Sequence, residues 1–306
     1  MEFSIQNPLI HSCPAATSLF LAESDHMPSL HYINTLKATD ADVCFRQQAV
    51  SSISQFASKF DPFIAYLAVN YLDRFLSSQA MPRQPKTWVL RLMAISCVSL
   101  AAKMNETQFS LNDFQADGGF MFDAQTVERM EYVILGALKW RMRSITPFSF
   151  VSFFISFFKL TDPWLTQALN ARAVEIIFKS QSDLKLLEFK PSIIAASALL
   201  SASNELFPSQ FPCYHEAISS CLYVHKENLL ECYNWMVEIG KERDESMFDV
   251  VSSCNTAANV LDQQFSCSES ENGSTITRGI KGRRINDYSN NQTLRANTVD
   301  DESDPS

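Results

Sequence analysis

Apolar positions along this chain recur at helical spacing from about residue 41 to 240, and the rhythm fails on either side. Residues 42–58 make a modestly amphipathic helix. Asp61-Pro62 opens the next one, because proline is tolerated in a helix's first turn. Its apolar positions Ala65, Val69, Leu72 and Leu76 advance by 4, 3 and 4. Tyr66, Tyr71 and Phe75 widen the stripe, which predicts a helix buried on most sides. A third helix over 86–104 carries Trp88, Leu92, Ile95, Val98 and Leu100. Its small residues Ala94, Ser96, Cys97, Ser99, Ala101 and Ala102 let other helices approach closely. Asp117-Gly118-Gly119 marks a loop. The next helix, over about 123–139, places Val127, Met130, Ile134 and Leu138 on one face.

A second set follows. Pro147 opens a phenylalanine-rich helix in which Phe148, Val151, Ile155 and Phe158 advance by 3, 4 and 3. Pro163 opens another that reaches about Lys179, Pro191 opens a helix over 192–204, and a last one covers about 226–241. No stretch reads as a strand. Residues 1–40 are mixed and poorly periodic, with Pro8, Pro14 and Pro28. After Arg243 the chain turns polar, and a composition of Ser, Asn, Asp and Glu buries too little apolar surface to offset chain entropy. The segment 244–306 is therefore expected to be a disordered tail.

The two sets resemble each other. A shift of 99 residues lays Cys97-Val98-Ser99-Leu100-Ala101-Ala102 over Ala196-Ser197-Ala198-Leu199-Leu200-Ser201, Asn105-Glu106 over Asn204-Glu205, and Glu128 over Glu227. Such a period is too long for a solenoid and suggests two similar helical bundles in tandem.

Composition narrows the function. Only 7 of 306 residues are glycine, too few for strand-rich folds or phosphate-cradling loops. A net charge of −9 argues against a protein built to coat nucleic acid. The eight cysteines show no C-x-x-C spacing, which fits a reducing compartment. Met1-Glu2-Phe3 begins no basic leader, and the apolar window 145–158 is shorter than the roughly 20 residues of a membrane span. A soluble protein is expected.

Tyr66-Leu67-Ala68-Val69-Asn70-Tyr71-Leu72-Asp73-Arg74-Phe75-Leu76-Ser77 resembles the second helix of the cyclin box as plant D-type cyclins write it. Ser99-Leu100-Ala101-Ala102-Lys103, Glu128-Arg129-Met130-Glu131 and Ile134-Leu135-Gly136-Ala137-Leu138-Lys139-Trp140 agree in order and spacing. Ile145-Thr146-Pro147-Phe148-Ser149-Phe150 resembles the entry to the second cyclin fold. The ending Leu261-Asp262-Gln263-Gln264-Phe265 is similar to the sixth plant D-type class. The resemblance implies an all-α protein of two tandem five-helix cyclin folds: an extension over 1–40, a cyclin box over 41–143, a second fold over 144–243 and the tail over 244–306. It also implies a regulatory subunit with no catalytic residue and no cofactor or metal. Such a subunit activates a cyclin-dependent kinase with a PSTAIRE-type helix to promote G1/S entry and cell division. A retinoblastoma-related substrate, kinase inhibitor proteins and residence in the nucleus, shared with the cytoplasm, are further implications.

Particular residues carry these expectations. Asp73 sits on an apolar helix, where a lone buried carboxylate needs a partner. The resemblance supplies Arg46; the alternative points Asp73 to solvent beside Arg74. By the resemblance Lys103 and Glu131 meet at the surface and grip the kinase's regulatory helix, with Leu100, Met104, Leu135 and Trp140 as apolar contacts. Read alone, the same two residues are an ordinary exposed ion pair.

Departures from the family are also legible. The substrate-docking groove has Ser52 and Arg91 in place of its tryptophan and glutamine, with Ser51 at an adjoining acidic position. It is expected to be weak or unused. The L-x-C-x-E retinoblastoma motif is missing near the N-terminus, while the tail holds the near match Phe265-Ser266-Cys267-Ser268-Glu269. Asn105 stands where an acidic residue is usual. Arg278-Gly279-Ile280-Lys281-Gly282-Arg283-Arg284 has the composition of a nuclear import signal. Rival readings are a helical Mg²⁺-dependent synthase, a DNA-binding cyclin fold of the general transcription factors, and a cyclin fold kept as a scaffold without kinase activation.

Overall fold

A computed structural model describes residues 14–78, 86–107 and 122–241. Among them every regular element is helical. Helix α1 spans Pro14–Ala22, followed by a 3-10 turn at Glu23–His26, and α2 spans Leu30–Ala38. The first bundle contains α3 (Asp40–Phe56), α4 (Pro62–Ser78), α5 (Thr87–Met104) and α6 (Ala124–Ala137). The loop expected at 117–119 lies outside the described residues. The second bundle contains α7 (Phe148–Ile155), α8 (Pro163–Ser180), α9 (Pro191–Leu206), α10 (Phe211–Ser219) and α11 (226–241).

The starts of these helices follow from their caps. Asp61 Oδ1 accepts from the Phe63 N–H at 2.8 Å, Asp123 caps Thr126, and Asp162 caps Trp164 with Pro163 in the first turn. Several ends are less usual. In a chain poor in glycine, Glu106, Lys139, Trp140 and Lys159 take left-handed backbone conformations themselves, at a cost of about 1–2 kcal/mol per residue. Two such residues in succession, Lys139 and Trp140, turn the chain sharply out of α6. Met142 is thereby returned to the core of the first bundle.

The small-residue helices are the hubs. α5 packs against α3, α4 and α6, and α9 against α7, α8 and α10. Leu92 through Ala102 of α5 are buried without interruption, as are Pro191 through Ser203 of α9. Ala, Ser and Cys at these positions let flanking helices close in. α5 is long and apolar enough to cross a membrane, but two thirds of it is buried inside this bundle, which accounts for its composition. The shift of 99 lays α4, α5 and α6 over α8, α9 and α11, so the two bundles repeat the same order.

The N-terminal segment departs from its reading as poorly periodic. Three short helical pieces form there because tertiary contacts hold them. Phe20 stacks on Tyr223 at 4.4 Å and meets Phe150 at 4.8 Å inside the second core. Glu23, 1% exposed, accepts hydrogen bonds from the backbone N–H and the hydroxyl of Ser192, each at 2.9 Å. Glu23 thus caps α9 from a distant part of the chain. Helix α10 was not anticipated either; its nine residues are too few to show a convincing period.

Candidate functional site

Lys103 stands in the last turn of α5, where a cation complements the helix's negative end. Its ammonium lies 2.6 Å from Oε2 of Glu131 on α6. The two side chains differ in access: Glu131 is 7% exposed and Lys103 is 57% exposed. The buried carboxylate fixes one donor of the ammonium, whose remaining donors face outward. Hydrogen bonds from Asn105 and Thr107 back to Ala101 and Ala102 close α5 immediately beyond this point.

Apolar groups flank the pair. Met104 is 40% exposed and Trp140 is 65% exposed, while Leu135 is partly buried. These three share a hollow with Ala22, Asp25 and His26, so the N-terminal segment forms its far wall. Arg141 ties that wall down through Asp25 at 3.1 Å. Leu100 requires a correction. It was expected at the surface contact, yet it is 5% exposed and belongs to the first core. Met104 lies one turn further along the same face, at the helix end, beyond the neighbours that cover Leu100.

Arg46 and Asp73 meet as expected, and neither reaches solvent. Nε and Nη2 of Arg46 lie 2.7 and 2.9 Å from the two carboxylate oxygens. Burial alone would lower the Arg46 pKa, but the Asp73 charge beside it raises it instead. Tyr32 on α2 donates to the same carboxylate at 3.3 Å, and Arg46 Nη1 donates to the Ser182 carbonyl at 3.0 Å. The pair therefore joins four chain segments rather than the two helices read from sequence.

Arg74 does not keep Asp73 company in solvent. It is 7% exposed and donates to Ser144 Oγ at 2.8 Å and to the Arg141 carbonyl at 3.0 Å. Tyr71 Oη donates to the Met142 carbonyl at 2.6 Å. Together they clamp the connection between the bundles. A charged residue within an apolar stripe was the available signal, and it was spent on Asp73 alone.

At the expected docking groove, Ser52 turns its hydroxyl back onto the Gln48 carbonyl at 2.9 Å. The Arg91 guanidinium covers the Phe56 ring at 5.4 Å, within cation–π range. An apolar shelf is thus replaced by a capped ring. The near match at Phe265–Glu269 and the basic run at Arg278–Arg284 lie outside the described residues.

Comparison with known proteins agrees with the fold. The N-terminal cyclin domain family matches residues 15–143, and the C-terminal cyclin domain family matches 145–260. Cyclin-D6-1 of Arabidopsis thaliana is 50% identical over 93% of this chain and 97% of its own length. Cyclin-D6-1 of Oryza sativa is 36% identical over 90% of this chain and 86% of its own. The crystal structure of a viral cyclin from herpesvirus saimiri is similar in fold, with a TM-score of 0.52 at 20% identity, covering 64% of this chain and 86% of that one. With two helical bundles in tandem and a family match over each of them, the chain belongs to the cyclins, a family of regulatory subunits rather than enzymes, and within it to the plant D type.

Proposed function

We propose that this chain binds a cyclin-dependent kinase with a PSTAIRE-type helix through the α5–α6 surface and activates it allosterically. The observation that carries the reading is the Lys103–Glu131 pair, whose carboxylate is buried and whose ammonium is offered outward. Such a cation can hold backbone carbonyls at a helix end, while Met104 and Trp140 supply an apolar anchor beside it. A kinase alone populates mostly an inactive arrangement, and its lysine–glutamate pair must be placed before phosphoryl transfer proceeds. A partner that binds the active arrangement better shifts the population toward it. No group of this chain enters the chemistry.

In this reading the complex promotes G1/S entry and division of plant cells from the nucleus, with a retinoblastoma-related protein as a substrate and kinase inhibitor proteins as further ligands. The degenerate groove at Ser52 and Arg91 supports substrate choice by another surface. The test is co-expression with a PSTAIRE-helix kinase, comparing wild type with Lys103→Ala/Glu131→Ala. Activity toward a retinoblastoma-type substrate is expected with wild type and not with the variant. Equal activity with both would remove the assignment, and no activity with either would favour a scaffold.

A further inference from the structure

The chain holds 34 acids against 25 lysines and arginines, yet one stretch of it runs the other way. Between Val43 and Ala102 the sequence has only two acids, Asp61 and Asp73. Asp73 is neutralised inside the first bundle by Arg46, and Asp61 accepts from the N–H of Phe63. From Val43 onward α3 therefore has no carboxylate, and α5, which packs on it, has none at all.

Cations gather where these two helices meet. Lys59 follows Phe56 in the turn that leaves α3. Lys86 stands before α5, about 8 Å of helix rise from Arg91. Both lysines are exposed, and neither makes an ion pair among the described residues. Arg91 differs from the other sheltered arginines. Arg46, Arg74 and Arg172 spend their donors on carboxylates, carbonyls or a hydroxyl. Arg91 makes no hydrogen bond to any described residue. Its guanidinium is held over the Phe56 ring instead, with Nε covered and the terminal nitrogens left to solvent. A guanidinium pinned in this way has little freedom left to lose, and its planar end matches the two oxygens of a carboxylate. Trp88, three residues earlier on the same face of α5, is 41% exposed and offers an apolar surface beside it. An aromatic group next to an arginine is the usual composition of a binding hot spot.

We infer that the α3–α5 face around Phe56 and Arg91 docks an acidic peptide segment of a partner protein. A carboxylate of the segment sits on the terminal nitrogens of Arg91, a neighbouring apolar side chain lies on Trp88, and further carboxylates face Lys59 and Lys86. The charge that turns away a cationic peptide draws this one in. The surface is separate from the α5–α6 pair, because Lys103 lies about 18 Å further along α5.

Fluorescence anisotropy of the full chain with a labelled DELDEL peptide, and with its counterpart KKLKKL, tests this. A protein of net charge −9 repels an acidic peptide unless a local cationic site holds it. The wild type should nevertheless bind DELDEL at least about tenfold more tightly than KKLKKL, and salt should weaken the binding. Arg91→Gln should lower the affinity about tenfold, as loss of a charge-assisted hydrogen bond requires. Lys59→Glu/Lys86→Glu, at exposed positions that do not endanger the fold, should lower it about two- to fivefold. Lys226→Glu/Lys241→Glu makes the same change of charge in the second bundle and should leave it unaltered. Equal binding of the two peptides by the wild type would overturn the inference, as would a loss in the second-bundle variant equal to that in Arg91→Gln. Displacement of DELDEL by a short single-stranded oligonucleotide at equal concentration would reveal a general polyanion surface and equally overturn it.

Discussion

Arg46 holds both carboxylate oxygens of Asp73 and keeps its third nitrogen for the carbonyl of Ser182, 136 residues away in the second bundle. One guanidinium thus fixes the crossing of α3 and α4 and the seating of the two bundles. Asp73→Ala should leave a buried cation unpaired and cost about 3–5 kcal/mol, read by chemical denaturation. Arg46→Met/Asp73→Leu should recover part of that loss, because replacing both members removes the charge as well as the bond. Equal stability of Asp73→Ala and wild type would dismiss the lock.

Arg74 is the second buried cation of α4, and burial lowers its pKa below the usual arginine value. Its partners are Ser144 Oγ and the Arg141 carbonyl. Arg74→Ala should cost about 1.5–3 kcal/mol, the worth of a hydrogen bond to a charged group. Faster amide exchange at 141–144 should accompany it. Unaltered exchange there would show that the connection is held by Tyr71 alone.

Lys103→Ala offers a contrast, since its ammonium is more than half exposed. The exposed ammonium itself is worth about 0–1 kcal/mol, and leaving the buried Glu131 carboxylate without it adds about 1–3 kcal/mol to the loss of stability. Affinity for the kinase should fall at least about tenfold, or about 1.4 kcal/mol. Calorimetry on the free and kinase-bound chain separates the two quantities. Loss of stability with kinase affinity unchanged would make the pair structural.

His26 provides a pH signature. Burial lowers its pKa below 6.5, Arg74 and Arg141 lower it further, and Asp25 opposes them weakly. The unfolded chain then binds more protons than the folded one, so His26 removes stability as pH falls below about 6.5. Glu23 has the opposite sign, because burial raises its carboxyl above 4.5 and stability falls as pH rises through that range. His26→Leu keeps Glu23 in place. Its melting temperature should drop less than that of wild type between pH 7.5 and 5.5, and parallel curves would contradict the assignment.

The Ser52–Arg91 region should not retain an R-x-L peptide on the isolated protein. Arg91 adds like charge and already covers Phe56. Strong retention in a pull-down would reverse this conclusion.

Helices with long apolar stripes, such as α4, α5 and α9, could be read directly because packing and periodicity agree there. Lys103 and Glu131 were found through spacing shared with a family, since an exposed ion pair leaves no other trace. What escaped was non-local. Helix α1 is held by Phe20 and Glu23 through residues more than a hundred positions away, and no local period encodes that. Leu100 and Met104 lie one turn apart on the same helix, yet only Met104 faces outward, because α5 is enclosed by three neighbours until its last turn. The termination of α6 without glycine was likewise invisible, since Lys139 and Trp140 carry no turn signature.

The distant cap that Glu23 places on α9 has a consequence for synthesis. Helix α1 leaves the ribosome early, but Phe150, Ser192 and Tyr223, which hold it, are made much later. Until then its phenylalanine has no core to enter, and contacts of such sequence separation are formed slowly. The nascent chain therefore carries an unclasped, apolar-bearing arm through most of translation, and a chain interrupted before Tyr223 would expose Phe20 to whichever quality-control factor recognises it.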